Sequence, residues 1–455
     1  MSSVIYLGIM LAVICIWFLL VKRPVYEAVL LSFLVLVGIT NTWSEIWGFI
    51  DDAMSDRLMY SMVAFIAMSV LLTKTKIIDN CVALILAVVG RVPGGAGYTA
   101  VVSSAFLGAL SGSGPGNVMA TGAITIPAMK KSGFPAELAA NIESNASYMG
   151  NMIPPSSNIL AAMSALAAAA PFVDSNVNIT DSQFWTIMWG IALYFILQRL
   201  LMVFLFCKYY KVKPMSKQEL PGLKQTFKTC WRGLLLPVII LAPFILDRIF
   251  GETFFVQRLG EAGAKAFSKS VVYFVGGLTV ICACFLVKDK SMVTPKAMSK
   301  MFAGAVKSIV PAIAVCLFGY MIGSLFDFLG APEQLKLLIS GLEFGKLGMV
   351  TFICLITCFM GMVIPGSALV KMCGTTFIVL LYSVGVNPIL AAAMLPCICG
   401  VMCGITPPMA LGMYAGMSIA GSDFGKTVKN DLWWVAAQFI LQVVVLMGFL
   451  PIMGL

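Results

Sequence analysis

Four windows of the chain, residues 4–21, 187–207, 271–287 and 433–450, are apolar runs carrying a single charge among them, Arg199. Each approaches or reaches the roughly 20 residues a helix needs to cross a hydrocarbon core of about 30 Å. The rest of the chain fits: 60% of its residues are hydrophobic and 11% charged, at a mean hydropathy of +0.97, where a soluble domain carries about 25% charged residues. The expectation is an all-α membrane protein. The first apolar stretch has no basic residue before it and runs into Lys22 and Arg23, so it reads as the first membrane helix and not as a cleaved leader.

The net charge of +10 comes from residues lying between apolar segments. Positive-inside bias explains that spread better than a nucleic-acid surface. Lys208, Lys211, Lys213, Lys217, Lys224, Lys228 and Arg232 face one acid, Glu219, and Lys288, Lys290, Lys296, Lys300 and Lys307 form a second cluster. Both are assigned to the cytoplasm, as are Lys22, Arg23, Lys74, Lys76, Lys130 and Lys131. Residues 42–56, with Glu45, Asp51, Asp52 and Asp56 and no base, and residues 171–181, with Asp174 and Asp181, go outside. The N-terminus is then outside, and residues 77–90 must lie along the interface as a short arm between Lys76 and Arg91. Thirteen cysteines with no histidine and no C-x-x-C pair argue against a metal or redox centre and for buried small hydrophobes.

A shift of 253 positions places Pro135 on Pro388, Ala139 and Ala140 on Ala392 and Ala393, Met149 on Met402, and Pro154-Pro155 on Pro407-Pro408. Each window has a Gly-rich break, an apolar run, a Gly- and Pro-containing turn, a helix and a proline pair. Five spans before the basic linker and five after it make this an inverted repeat: residues 1–207, a linker at 208–232, and residues 233–455.

A proline pair inside an apolar segment removes two donors and opens the helix, and the freed carbonyls must then be buried in protein or line a polar cavity. Around the first pair stand Gly150, Asn151, Ser156, Ser157 and Asn158; around the second, Cys403, Gly404 and Thr406. Such oxygens suit a hard cation such as Na+. The Gly-rich segments at 111–117 and 361–367 read as tips of two re-entrant hairpins. Lys371, in the second hairpin, is a candidate for a carboxylate, with snorkelling as the plainer alternative. For Glu143, also within an apolar segment, a structural hydrogen-bonded role is ranked ahead of cation coupling and proton relay. Residues 421–427 imitate a phosphate loop but have one residue too few and follow a membrane helix. A serine protease at Ser113 lacks a histidine base.

The run Gly108-Ala109-Leu110-Ser111-Gly112-Ser113, then Thr121-Gly122, Ile126-Pro127-Ala128-Met129-Lys130-Lys131-Ser132-Gly133-Phe134 and residues 150–155, resembles the large membrane subunit of tripartite ATP-independent periplasmic (TRAP) transporters. So do Gly404-Ile405-Thr406-Pro407-Pro408-Met409-Ala410-Leu411 and Ile419-Ala420-Gly421-Ser422-Asp423. The resemblance implies an elevator-type secondary transporter of the bacterial inner membrane, with two hairpins and two broken helices moving against a scaffold. It further implies a protein that is not an enzyme and takes no organic cofactor. Sodium is the coupling ion, and the partners are a small four-helix membrane subunit, a periplasmic binding protein, an organic anion and lipid, with no nucleic acid. By motif, the first sodium site takes Ser111, Ser113, Asn117, Gly150, Met152 and Pro154; the second takes Gly361, Ile364, Ser367, Cys403, Gly404 and Thr406. Substrate contacts are expected at Ser113, Asn151, Ser156 and Lys371. A stand-alone sodium/anion symporter and a passive channel or scaffold subunit are the alternatives.

Overall fold

A computed structural model describes residues 3–17, 21, 23, 25–55, 71, 77–111, 114–154, 156–173, 177, 179–216, 220–287, 289–330, 334, 344–362, 366–407 and 410–455. Every regular element among the described residues is helical. The first half holds α1 (Ser3–Cys15), α2 (Val25–Thr40), α3 (Ile46–Ser55), α4 (Ile77–Val89), α5 (Gly95–Ser111), α6 (Gly114–Lys131), α7 (Ala136–Ser147), α8 (Ser157–Ala169) and α9 (Asp181–Tyr210). After it come α10 (Leu223–Cys230), α11 (Leu235–Phe250), α12 (Val256–Leu286), α13 (Pro295–Phe328), α14 (Lys346–Gly361), α15 (Gly366–Ser383), α16 (Pro388–Leu395), α17 (Met402–Ile405), α18 (Leu411–Ala420) and α19 (Phe424–Leu446).

Local chemistry sets the boundaries. Thr180 and Gln183 form a reciprocal capping box that starts α9, whose 30 residues reach about 45 Å at 1.5 Å per residue. Asn387 caps α16 by accepting from the amides of Ile389 and Leu390, with Pro388 at the first helical position. The phosphate-loop look-alike is two helix ends back to back. Gly421, at φ +64°, closes α18, and Asp423 accepts from Lys426 N–H to open α19.

Pro154 and Pro407, the first prolines of the two pairs, both fall in interruptions. After α7 the chain tightens into a 3₁₀ turn, Tyr148–Asn151, and α8 begins only at Ser157. Downstream, α16 runs into a π-helix, Pro396–Val401, then the four residues of α17, and α18 starts at Leu411. The hairpin breaks are shorter than the glycine count indicates. Helix α6 resumes at Gly114, so Pro115 and Gly116 are helical, because proline in a first turn removes a donor that has no partner there anyway. Likewise Gly361 ends α14 and Gly366 opens α15.

Packing is reciprocal between the halves. The second hairpin arm of each half, α6 or α15, lies on the post-break helix of the other, α18 or α8, and each pre-break helix, α7 or α16, meets the same post-break partner. The 253-residue offset relates one close contact in each half. It carries Gly108 and Gly150 onto Gly361 and Cys403, and both pairs are in contact: a methyl on Gly108 would sit 2.5 Å from Gly150 Cα, and one on Gly361 would sit 3.3 Å from Cys403 N. Outside this centre α13 packs on α2 and α3, α1 on α2, and α11 on α12, while α13 also meets α15. Helix α4, the short arm, lies on α5, α6 and α10.

Gly108→Ala is expected to destabilise the protein by about 1–3 kcal/mol, since the clash is with backbone that has no rotamer to yield. The readout is thermal unfolding in detergent against Gly48→Ala, a helical site with nothing within 4 Å of the added methyl; equal melting of the two variants contradicts the close approach.

Candidate functional site

The first interruption meets the second half's helix just ahead of that helix's own break. The Tyr148–Asn151 turn lies against the Pro396–Val401 π-helix, and Asn151 Nδ2 donates to Gly400 O at 2.6 Å. Gly400 has no side chain to spare room for: a methyl there would come within 2.9 Å of Asn158 Nδ2 and 3.2 Å of Asn151 Cβ. The Cys397 thiol reaches the Met152 sulfur at 3.7 Å. Ser156 serves the break twice, donating to Asn151 O at 2.9 Å and accepting from Asn158 N as the cap of α8.

Each break is tied to its own hairpin. In the first half Asn117 Nδ2 spans from Ser104 O to Ser147 O, 3.3 Å from each, so one amide joins both arms of the hairpin to the end of α7. In the second, Cys403 Sγ accepts from Gly366 N–H at 3.1 Å and donates to Gly400 O at 3.3 Å. Thr406 Oγ1 donates to Met402 O at 2.6 Å, back-bonding into the turn it has just left.

Of the residues expected at the first ion site, Asn117, Gly150, Met152 and Pro154 are brought to the first break, although Met152 turns toward the second. Ser111 ends α5, and Ser113 lies outside the described residues. At the second, Gly361, Cys403, Gly404 and Thr406 are together, Ser367 lies in the first turn of α15, and Ile364 is outside the described residues. Lys371 faces elsewhere. Its ammonium sits 5.3 Å from the centroid of the Tyr320 ring in α13 and its stem lies on Gly319, while Gly374 of the same helix faces Ala165 and Leu395.

Tyr148 carries no signal of its own in the sequence, yet it is the steric centre of the site. A Cβ on Gly114, Gly404 or Gly412 would overlap its ring, so those glycines admit it. The readable trace is a set of small residues, one at the first hairpin tip and two flanking the second proline pair.

Glu143 is completely buried and is approached by four hydroxyls: Thr121 and Thr125 of α6, Ser104 of α5 at 3.3 Å and Ser147 of α7 at 2.9 Å. A buried carboxyl persists only when its lone pairs are occupied, and here the occupants are both hairpin arms and the pre-break helix. The structural reading of this acid is therefore the one its neighbours support. Helix α19 secures the other side: Asn141 Nδ2 donates to Thr427 O, Asn145 Nδ2 to Asp431 Oδ1, and Gln442 Nε2 to Cys397 O, each at 2.9 Å. Lys130 Nζ, from α6, donates to Ala420 O at 2.6 Å, a cation on the negative end of α18.

What remains available is oxygen. Asn117 Oδ1 and Asn158 Oδ1 are buried and accept no hydrogen bond among the described residues. Both are neutral amide oxygens, hard donors of the kind alkali cations take.

The sequence profile of the family described as tripartite ATP-independent periplasmic transporter, DctM component, matches residues 5–453. A C4-dicarboxylate TRAP transporter large permease protein of Vibrio cholerae is 25% identical over 411 residues, covering 85% of this chain and 83% of that protein. Its namesake from Pseudomonas aeruginosa is 24% identical over 371 residues, 81% and 78% of the two chains. Among solved structures, Neisseria gonorrhoeae MtrF shares the fold at a TM-score of 0.63 and 12% identity, over 91% of this chain and 84% of that one.

Glu143→Ala removes the carboxyl that gathers four hydroxyls, of which Thr121 and Thr125 can still turn to the carbonyls of Asn117 and Thr121, and leaves a void; it is expected to lower stability by at least about 2 kcal/mol. Glu143→Gln keeps the shape and one acceptor oxygen and should recover most of that in thermal unfolding; indistinguishable variants would remove the carboxyl from its clamping role.

Proposed function

Because the chain belongs to the family of tripartite ATP-independent periplasmic transporters as its DctM component, we propose that it is the subunit through which an organic anion crosses the bacterial inner membrane, driven by sodium. The observation carrying this reading is the meeting of two interrupted helices whose turns touch through Asn151 and Gly400, beside the donor-free oxygens of Asn117 and Asn158. Half-helix ends inside a membrane protein place partial charges and bare carbonyls where a dehydrated ion can replace water.

In this reading the first sodium ion is held near Asn117, Gly150 and the carbonyls around Met152 and Pro154, with Ser111 and Ser113 from the hairpin tip. The second is held near Gly361, Cys403 and Thr406, with Ile364 and Ser367. The anion meets Asn151, Ser156 and Ser113 between them, and its charge is offset by the ions. C4-dicarboxylates, named for two of the relatives, are the first class to test. The hairpins and broken helices form the moving body and α1, α2, α3 and α13 the scaffold, with the two halves oppositely inserted and the N-terminus outside. The cycle needs a periplasmic binding protein to deliver the anion and a small four-helix subunit to hold the scaffold in lipid. The substrate is moved unchanged, with no organic cofactor. Lys371, stacked on Tyr320, belongs in this scheme to the contact between moving body and scaffold.

The test is uptake of a labelled C4-dicarboxylate into proteoliposomes. Uptake is expected only with an inward sodium gradient, the binding protein and the small subunit, and Asn117→Ala should raise the half-saturating sodium concentration about tenfold, the effect of losing ~1.4 kcal/mol of ion binding. Uptake indifferent to sodium would defeat the coupling, and uptake without the binding protein would favour a stand-alone symporter.

Lys371→Ala provides a separate check. A lower maximal rate at unchanged KM is expected from the Tyr320 contact, whereas a raised KM would return this lysine to the anion.

A further inference from the structure

The linker between the halves is strapped beneath the first hairpin at three points. Lys213 N–H donates to Ser132 O at 3.3 Å, just past the end of α6. Leu220 lies on Gly90, where a methyl would come within 2.5 Å of its Cδ2. At the end of α10 the thiol of Cys230 meets that of Cys81 in α4, with the sulfurs 3.3 Å apart and both residues 1% exposed. Helix α10 has eight residues and turns Lys224 and Lys228 outward, so contact with α4 is what orders it; a helix so short is marginal alone. Since α4 packs on both hairpin arms, whatever fixes α10 to α4 fixes the linker to the first hairpin.

We infer that Cys81 and Cys230 form a reversible disulfide when the protein meets a peroxide, locking the linker onto the arm that carries the first hairpin. The sulfurs need to close by only about 1.3 Å to reach bonding distance. Cys230 ends α10 between the exposed Thr229 and Trp231, so it is the sulfur that meets the peroxide and attacks. Its thiolate displaces hydroxide from hydrogen peroxide, breaking the O–O bond and becoming a sulfenic acid. Cys81 then attacks that sulfur, forming the S–S bond, and the departing oxygen leaves as water. In total two thiols and one peroxide give one disulfide and two waters, the two electrons passing from sulfur to oxygen. On the cytoplasmic side, where the basic linker is assigned, glutathione keeps such pairs reduced, so the thiol form is the resting one.

The effect on transport rests on the proposed function; the bond itself does not. Purified full-length protein is treated with hydrogen peroxide, alkylated and mapped by mass spectrometry. A peptide pair joined through Cys81 and Cys230, lighter by two hydrogen atoms than the two thiol peptides and lost on adding dithiothreitol, is expected in the wild type and not in Cys81→Ser or Cys230→Ser. Full alkylation of both cysteines after peroxide overturns the proposal. In proteoliposomes the same treatment should abolish most uptake, reversibly, in the wild type and spare Cys230→Ser. A joined pair with undiminished uptake overturns the lock while leaving the transport reading intact.

Discussion

A main-chain carbonyl with no donor is tolerable in water and expensive in a dry interior, and at the two breaks side chains supply the donors: Asn117 to Ser147 O, Ser156 to Asn151 O, and Asn151 and Cys403 to Gly400 O. The interruptions after Ser147 and Leu395 leave turns that would be untenable against lipid. They persist because each is covered by a hairpin, through backbone contacts at Gly108, Gly150 and Gly366 too close for any side chain. The centre is thus held by proximity of backbone to backbone, with the glycines as the condition for it.

Around that shared geometry the halves are held differently. In the first, the Glu143 carboxyl gathers hydroxyls from three helices, and Asn117 bonds across the same junction. At the matching position of the second half stands Pro396, which begins a π-helix, and the hairpin is tied down by the Cys403 thiol alone among the described side chains of that break. A carboxyl ringed by hydroxyls resists displacement more than a single thiol contact does. The second hairpin is therefore the part more readily rearranged, and its outer face rests on Tyr320 of α13 through Lys371.

Much of this was legible in the residues. Three prolines in register, two of them adjacent, mark both breaks, and the charge pattern sets off the segment in which the structure has the helix Ile77–Val89. The hairpin tips were read too long, because glycine and proline counts do not distinguish a broken helix from one starting afresh, where proline is welcome. The π-helix was invisible: Pro396 sits in an apolar run that reads as ordinary helix. Tyr148 was missed because an aromatic residue in a membrane protein is unremarkable until its neighbours prove to be Gly114, Gly404 and Gly412. Lys371 was found by its charge, but a charge cannot announce which face of its helix it occupies, and the partner was an aromatic ring 51 residues earlier in the chain.

Sodium held by oxygens at the paired breaks is the central interaction proposed, and equilibrium binding of radioactive sodium to the purified protein addresses it without any transport assay. Saturable binding is predicted, displaced by excess unlabelled sodium but not by potassium, and reduced in both Asn117→Ala and Asn158→Ala. Absence of saturable binding to well-folded protein, or binding that both variants retain in full, would contradict it.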